Sequence, residues 1–163
     1  MIYSIIQFRY LEINSLGTSE ERQKYKNSLI EYLLPYKSDL DIDSQARLIS
    51  NPLRILDTKD QKTLEIISQA PKINQYLGVE SQKYIEEIFH YLTELKISYK
   101  LNPQLVRGLD YYNNTAFEIK TSELGAQDTI CGGGRYDNLI QQLGGPATPA
   151  VGWAIGMERL CMI

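Results

Sequence analysis

An α+β fold is what this sequence predicts: a sheet laid down in two separated stretches, with a block of helices between them. Three observations carry that prediction. β-Formers crowd residues 1–17, helical periodicity governs residues 18–96, and strand signals interleaved with glycine return over residues 97–163. Strands and helices are segregated along the chain, which favours α+β over an alternating α/β arrangement.

Residues 1–17 hold Ile5, Ile6, Phe8, Tyr10, Leu11 and Ile13 and close on a glycine in FRYLEINSLG, a strand ending in a turn. A lone strand must find its partners elsewhere in the fold. Thr18 followed by Glu21 forms a capping box, so a helix starts there. Tyr25, Leu29, Tyr32, Leu33 and Tyr36 recur at helical spacing until Pro35 ends the run. A short element around Ala46–Ile49 stops before Asn51-Pro52, because the residue preceding proline disfavours helix. Leu64, Ile67 and Ala70 mark another short helix ahead of Pro71. The clearest helix runs from Ser81 to Lys96, with Tyr84, Ile85, Ile88, Phe89, Leu92 and Leu95 on one stripe and His90 beside it as a flanking residue. Beyond it, ISYKLN and the two arms of LVRGLDYYNNTAFE read as strands, with Asn113-Asn114 at the turn of a hairpin. DTICGGGRYDNLIQQLGG follows as strand, glycine loop and helix, and AVGWAIGMERLCMI as strand into helix. The chain stops inside that last helix without a C-cap; with the orphan strand at the start, this predicts a fragment.

The totals narrow the function classes. The chain has 163 residues, enough for one domain with a core or for one piece of a larger protein. Its 43% hydrophobic and 23% charged residues are ordinary globular composition and exclude disorder. A net charge of −3 offers no global attraction to nucleic acid, so such contact would have to be local. Cys131 and Cys161 are too few for a disulfide framework or a CxxC metal site, and His90, the single histidine, leaves no His-based metal site or triad; no metal ligands are predicted. No apolar run reaches the ~20 residues that a membrane helix requires. Arg9 and Glu12 come too early for a signal peptide, so a soluble protein in a reducing compartment is expected.

Three constellations are candidates for chemistry. Arg107 with Tyr111 and Tyr112 would be costly sheet fillers unless polar partners met them, since arginine grips phosphate or carboxylate and tyrosine offers a ring and a hydroxyl. Gly132-Gly133-Gly134 lets a backbone approach a ligand, although a glycine run is commonly just a tight turn; Arg135-Tyr136-Asp137 adds charged and aromatic groups at the same edge. Arg159 sits in the first turn of the last helix, the wrong end for a cation, behind Gly152 and Gly156; a salt bridge to a neighbouring carboxylate is the plain alternative to an anion site.

Taken in order, LVRGLDYYNNTAFE, CGGGRYDNLIQQLGG and AVGWAIGMERL resemble the histidine-specific signatures and the third class II signature of histidyl-tRNA synthetases, and LEINSLG and NPLRILD extend the resemblance over nearly the whole chain. The resemblance implies part of an antiparallel class II sheet with flanking helices and a helical insertion: residues 1–17 a catalytic-core strand, 18–96 the insertion, 97–163 the C-terminal part of the core. It implies ATP-dependent activation of histidine to histidyl-adenylate and transfer to tRNA(His), with Mg²⁺ accompanying ATP and a homodimer in the full-length protein. By matching position, Arg107 is the catalytic arginine against the α-phosphate and also contacts histidine. Tyr111 and Tyr112 sit at the histidine pocket. Gly132, Gly133, Gly134 and Tyr136 line it, while Arg159 and Gly156 bind ATP. The first two class II signatures and an anticodon-binding domain have no counterpart here, so the isolated chain is expected to be inactive. The rival relative is the non-catalytic regulatory subunit of ATP phosphoribosyltransferase, which generally loses the arginine kept here as Arg107. The expected compartment is the cytoplasm, with a plastid as the alternative suggested by the many Lys, Ile, Tyr and Asn residues.

Overall fold

The computed structural model describes residues 9–125 and 128–163. Five strands form one sheet in the order β2-β1-β3-β4-β5. They are β1 (Arg9–Gly17), β2 (Tyr99–Leu101), β3 (Asn113–Thr121), β4 (Thr129–Arg135) and β5 (Val151–Ile155). Helices α1 (Ser19–Leu33), α2 (Ile42–Ser50), α3 (Gln61–Ser68) and α4 (Val79–Glu94) come between β1 and β2. The short α5 (Leu139–Gln142) and α6 (Met157–Cys161) flank β5. The α+β fold is thus borne out, with one amendment to the antiparallel sheet: β2 runs parallel to β1, while every other pair is antiparallel. The parallel pair arises because all four long helices separate the two strands, a crossover long enough to return the chain in the same direction.

The lone first strand finds its partners in β2 and β3, and the Ile5, Ile6 and Phe8 part of its prediction lies outside the described residues. At its end Gly17 adopts φ +64°, where a side chain would be strained, and an added Cβ would fall 2.6 Å from Glu21 Oε2. Space there is taken by the predicted capping box: Thr18 N–H donates to Glu21 Oε2 at 2.7 Å and Glu21 N–H to Thr18 Oγ1 at 3.3 Å. Glu21 also accepts from Ser81 Oγ and from Gly78 N–H, so one carboxylate closes the starts of α1 and α4 together.

Proline punctuation is obeyed. α1 ends at Leu33 and gives way to a 3₁₀ turn with Pro35 near its start, and α2 ends at Ser50 ahead of Asn51-Pro52. Tyr25, Leu29 and Leu33, spaced four apart on α1, are fully buried against Leu48, Ile55 and Ile67. Burying each such side chain contributes about 1.5–3 kcal/mol relative to exposure. Asp41 starts α2, its Oδ1 accepting from Ser44 N–H at 2.9 Å and its Oδ2 from Ser44, Thr58 and Thr63 hydroxyls. α4 occupies Val79–Glu94, shifted slightly from its prediction; Ile85 is buried on its stripe, whereas Leu95 is exposed beyond the helix end. His90 is exposed and pairs with Glu94 at 3.3 Å, a flanking residue as read.

Two predicted local structures are overturned. Residues 105–112 form no strand, and Asn113-Asn114 begin β3 and make no hairpin turn. The reason is topological: β3 is already paired on both edges, by β1 and β4, so a first arm has no free ladder beside it. Asn114 does adopt the positive φ (+53°) that its residue type tolerates, beside a bulge. Gly132-Gly133-Gly134 is no loop either. All three lie inside β4, paired with β3 and β5.

Candidate active site

Strand alternation puts Gly132 and Gly134 on one face of the sheet, with Ala116 and Glu118 of β3 and Glu12 and Asn14 of β1 beside them in register. The irregular segment 102–112 crosses this face. Glycines are needed beneath it: a Cβ at Gly132 would lie 2.5 Å from Arg107 Nη1, and one at Gly134 would lie 2.9 Å from the Tyr112 ring. The bare strand therefore leaves room for the guanidinium at Gly132 and for the phenol ring at Gly134, where a Cβ would also meet the Thr115 carbonyl at 2.3 Å. A Cβ at Gly133 would instead meet the Gly152 carbonyl and Trp153 of β5, so this glycine serves the packing of neighbouring strands.

Three phenol rings close over the Gly134 end. Tyr111 and Tyr112 have centroids 4.4 Å apart, and Tyr136 meets them edge-on at 5.5 and 6.0 Å. They pack with buried Leu16 and Ala116. Burial pushes the Tyr112 phenol up to about 12, helped by the neighbouring Tyr111 hydroxyl and opposed by the Arg107 guanidinium; it stays a protonated donor at neutral pH.

Arg107 is held from the side by Glu118, whose Oε1 accepts from Nη1. Its Nε is buried and meets no acceptor among the described residues. Glu118 also accepts from Thr129 Oγ1 at 3.0 Å. Glu12 and Glu118 stand opposite each other across β1 and β3, a repulsive pairing were Lys120 not between them, 3.2 Å from Glu12 Oε2 and 3.7 Å from Glu118 Oε2. Burial opposes ionisation of Glu12, but Asn102 and Lys120 outweigh it and lower its pKa. Burial likewise disfavours charged Lys120, yet Glu12 and its acidic neighbours raise its pKa. The floor is thus a preorganised set of fixed charges. None of Glu12, Glu118 or Lys120 was foreseen, although Glu118 ends the stretch that drew attention to Arg107. Alternation from Ala116 would have put it on the same face.

Arg159 sits apart, at the other end of β4, donating from Nη1 to the Thr129 carbonyl at 2.6 Å. Gly156 starts α6 and donates its N–H to the Ile130 carbonyl at 2.9 Å. The helix that follows the glycines, α5, is a single four-residue turn. Arg135, next to them, is committed to Asp137 and to the Tyr84 hydroxyl. Among the described residues no three His, Cys, Asp or Glu groups converge as metal ligands. Nor is any described helix long and apolar enough to cross a membrane.

Comparison with known proteins adds to this geometry. A family model described as "Histidyl-tRNA synthetase" matches residues 38–160. A histidine–tRNA ligase of Rippkaea orientalis is 60% identical over 158 residues, covering 97% of this chain and 37% of that protein. A chloroplastic histidine–tRNA ligase of Gracilaria tenuistipitata var. liui is 63% identical over 153 residues, covering 94% of this chain and 36% of that protein. Among solved structures, apo S. aureus histidyl-tRNA synthetase superposes with TM-score 0.71 at 37% identity, covering 96% of this chain and 38% of that one. The chain therefore spans a little over a third of the length of the curated relatives it matches.

Proposed function

This chain belongs to the histidyl-tRNA synthetase family, and we propose that it supplies one half of an active site that activates histidine with ATP and passes it to tRNA(His). One observation carries the reading: the order of groups along β4. Arg159 is at Thr129, Arg107 lies over Gly132, and Tyr112 over Gly134. At ~3.3 Å per residue, the Arg159 anchor and the Tyr112 seat are separated by roughly 17 Å, with Arg107 between. That spacing suits an extended adenylate whose nucleotide end meets Arg159 and Gly156, whose α-phosphate and carboxylate meet Arg107, and whose imidazole meets Tyr111, Tyr112 and Tyr136.

In this reading Arg107 works electrostatically. As the histidine carboxylate oxygen attacks the α-phosphorus and pyrophosphate leaves, negative charge grows on the phosphoryl oxygens. A guanidinium already fixed by Glu118 and seated on Gly132 stabilises that charge without reorganising. The protonated Tyr112 hydroxyl can donate to an imidazole nitrogen, and the ring faces exclude water. The described carboxylates on this face are engaged by Arg107, Lys120, Asn102 and Thr129, so they form no Mg²⁺ site of their own; Mg²⁺ would arrive with ATP. Arg107 seated beside the tyrosine pair supports the ligase over the regulatory-subunit alternative. The active assembly is taken as a homodimer in the cytoplasm, with a plastid as the alternative that the Gracilaria relative supports.

The test is a chimaera in which residues 1–163 replace the matching segment of the Rippkaea orientalis relative. Histidine-dependent ATP–pyrophosphate exchange and tRNA(His) charging are expected from the chimaera and not from the purified 163-residue chain. A folded chimaera with no exchange sinks the ligase reading. Exchange by the chain alone, at the chimaera's rate, sinks the half-site reading.

A further inference from the structure

Segment 103–112 carries Arg107, Tyr111 and Tyr112 outside the strands of the sheet. A turn closed by Leu105 N–H on the Asn102 carbonyl begins it, and side chains from other elements reach the rest. Asn14 of β1 donates from Nδ2 to the Leu105 carbonyl at 3.0 Å. Two more come from the helical region. Arg22, in the first turn of α1, donates from Nη1 to the Tyr112 carbonyl. Asn51, between α2 and Pro52, donates from Nδ2 to Asp110 Oδ1 at 2.9 Å. These contacts fall at residues 110 and 112 and so bracket Tyr111.

The two ties share an electrostatic centre. Burial lowers the Arg22 pKa, and the nearby Asp110 carboxylate pulls it back up. Asp110 therefore both accepts from Asn51 and faces the Arg22 charge. Tyr112 in turn is seated on Gly134, where a ring displaced sideways would lose its contact with Ala116 and Leu16.

We propose that Arg22 and Asn51 are positioning residues for the aromatic pocket: from the helical region they set the backbone of residues 110–112, and through it the angle at which Tyr111 and Tyr112 meet a bound imidazole. What the pocket takes rests on the function proposed above; the mechanical tie does not. Arginine is suited to the role because its planar fork keeps one orientation at a carbonyl, which a lysine ammonium does not impose. Asn51 can be removed without opening the core, since its side chain reaches Asp110 at the surface.

Two measurements test this on Asn51→Ala, with Arg22→Lys as the second variant. In the purified chain, hydrogen–deuterium exchange of the amides at 110–113 should quicken by about fivefold, as expected when a side-chain tie that limits local opening of this backbone is lost. The Asn51→Ala melting temperature should stay within about 2 °C of the parent. In the chimaera, the histidine KM should rise by about tenfold while the ATP KM stays within about twofold, because Arg159 is held separately. Unchanged exchange at 110–113, or histidine and ATP parameters falling together with the melting temperature, would overturn the tie. Should the unsubstituted chimaera fail to activate histidine, the ligase reading falls, and exchange at 110–113 alone then decides the positioning role.

Discussion

The helical region and the polar face of the sheet answer the same problem, how to bury side chains, in opposite ways. Between α1 and the 3₁₀ turn that ends at Gln75, burial is aliphatic and aromatic: Leu29, Leu33, Ile55 and Ile73 are almost wholly enclosed. Its caps sit at helix starts, where Asp41, Asp60 and Thr18 satisfy backbone donors, and Arg54 keeps a buried Nε without an acceptor among the described residues. The face of β1, β3 and β4 instead encloses the charged Glu12 and the polar Asn14 and seats Arg107 against a glycine. The first pattern maximises stability. The second spends apolar burial on fixed charge, which is useful when a charged substrate is to be met and stabilised. The lesson is that the two regions should respond to substitution on different scales, one in stability and the other in chemistry.

The largest stability effect should come from the helical core. Leu29→Ala leaves a cavity in a fully buried position and is expected to lower unfolding free energy by about 2–5 kcal/mol, read by urea denaturation. A loss below about 1 kcal/mol would mean that the helical block is not the stabilising half. Arg107→Ala should invert that profile: exchange activity of the chimaera falls by about 10²–10³-fold, while its melting temperature moves little. Equal losses in both would erase the contrast.

Asp41→Ala comes next, at about 1–3 kcal/mol, because it removes a helix cap and strands the Ser44, Thr58 and Thr63 hydroxyls. Its pH dependence sharpens the point. Burial pushes the Asp41 carboxyl up, but the hydrogen bonds it accepts outweigh this and hold it at about 2, below the ordinary 3.8. A depressed folded pKa contributes stability above the unfolded value and loses it as pH falls through the folded one. The melting-temperature gap between parent and Asp41→Ala should therefore be flat from neutral pH down to about 4 and close towards pH 2. A gap that persists unchanged at pH 2 would assign it to packing. The smallest effect is His90→Ala, within about 0.5 kcal/mol by calorimetry, because the pair with Glu94 is exposed.

By itself the sequence determined the helical half and the identity of the key groups. The Thr18–Glu21 box, the breaks at Pro35 and Pro52 and the Tyr25–Leu29–Leu33 stripe are local rules, and local rules are written in neighbouring residues. Arg107, Tyr111 and Tyr112 stood out for a similar reason: their chemistry is unusual wherever they lie. Only the tertiary structure decided that Gly132-Gly133-Gly134 is strand, that residues 105–112 are irregular, and that β2 runs parallel to β1. Those outcomes depend on which ladder edges are already occupied by strands distant in the chain. The partners of the site depended on it as well. Glu118 against Arg107, Lys120 between two glutamates, and Arg22 on the Tyr112 carbonyl are pairings set by register and by crossing of segments, which no spacing along the chain encodes.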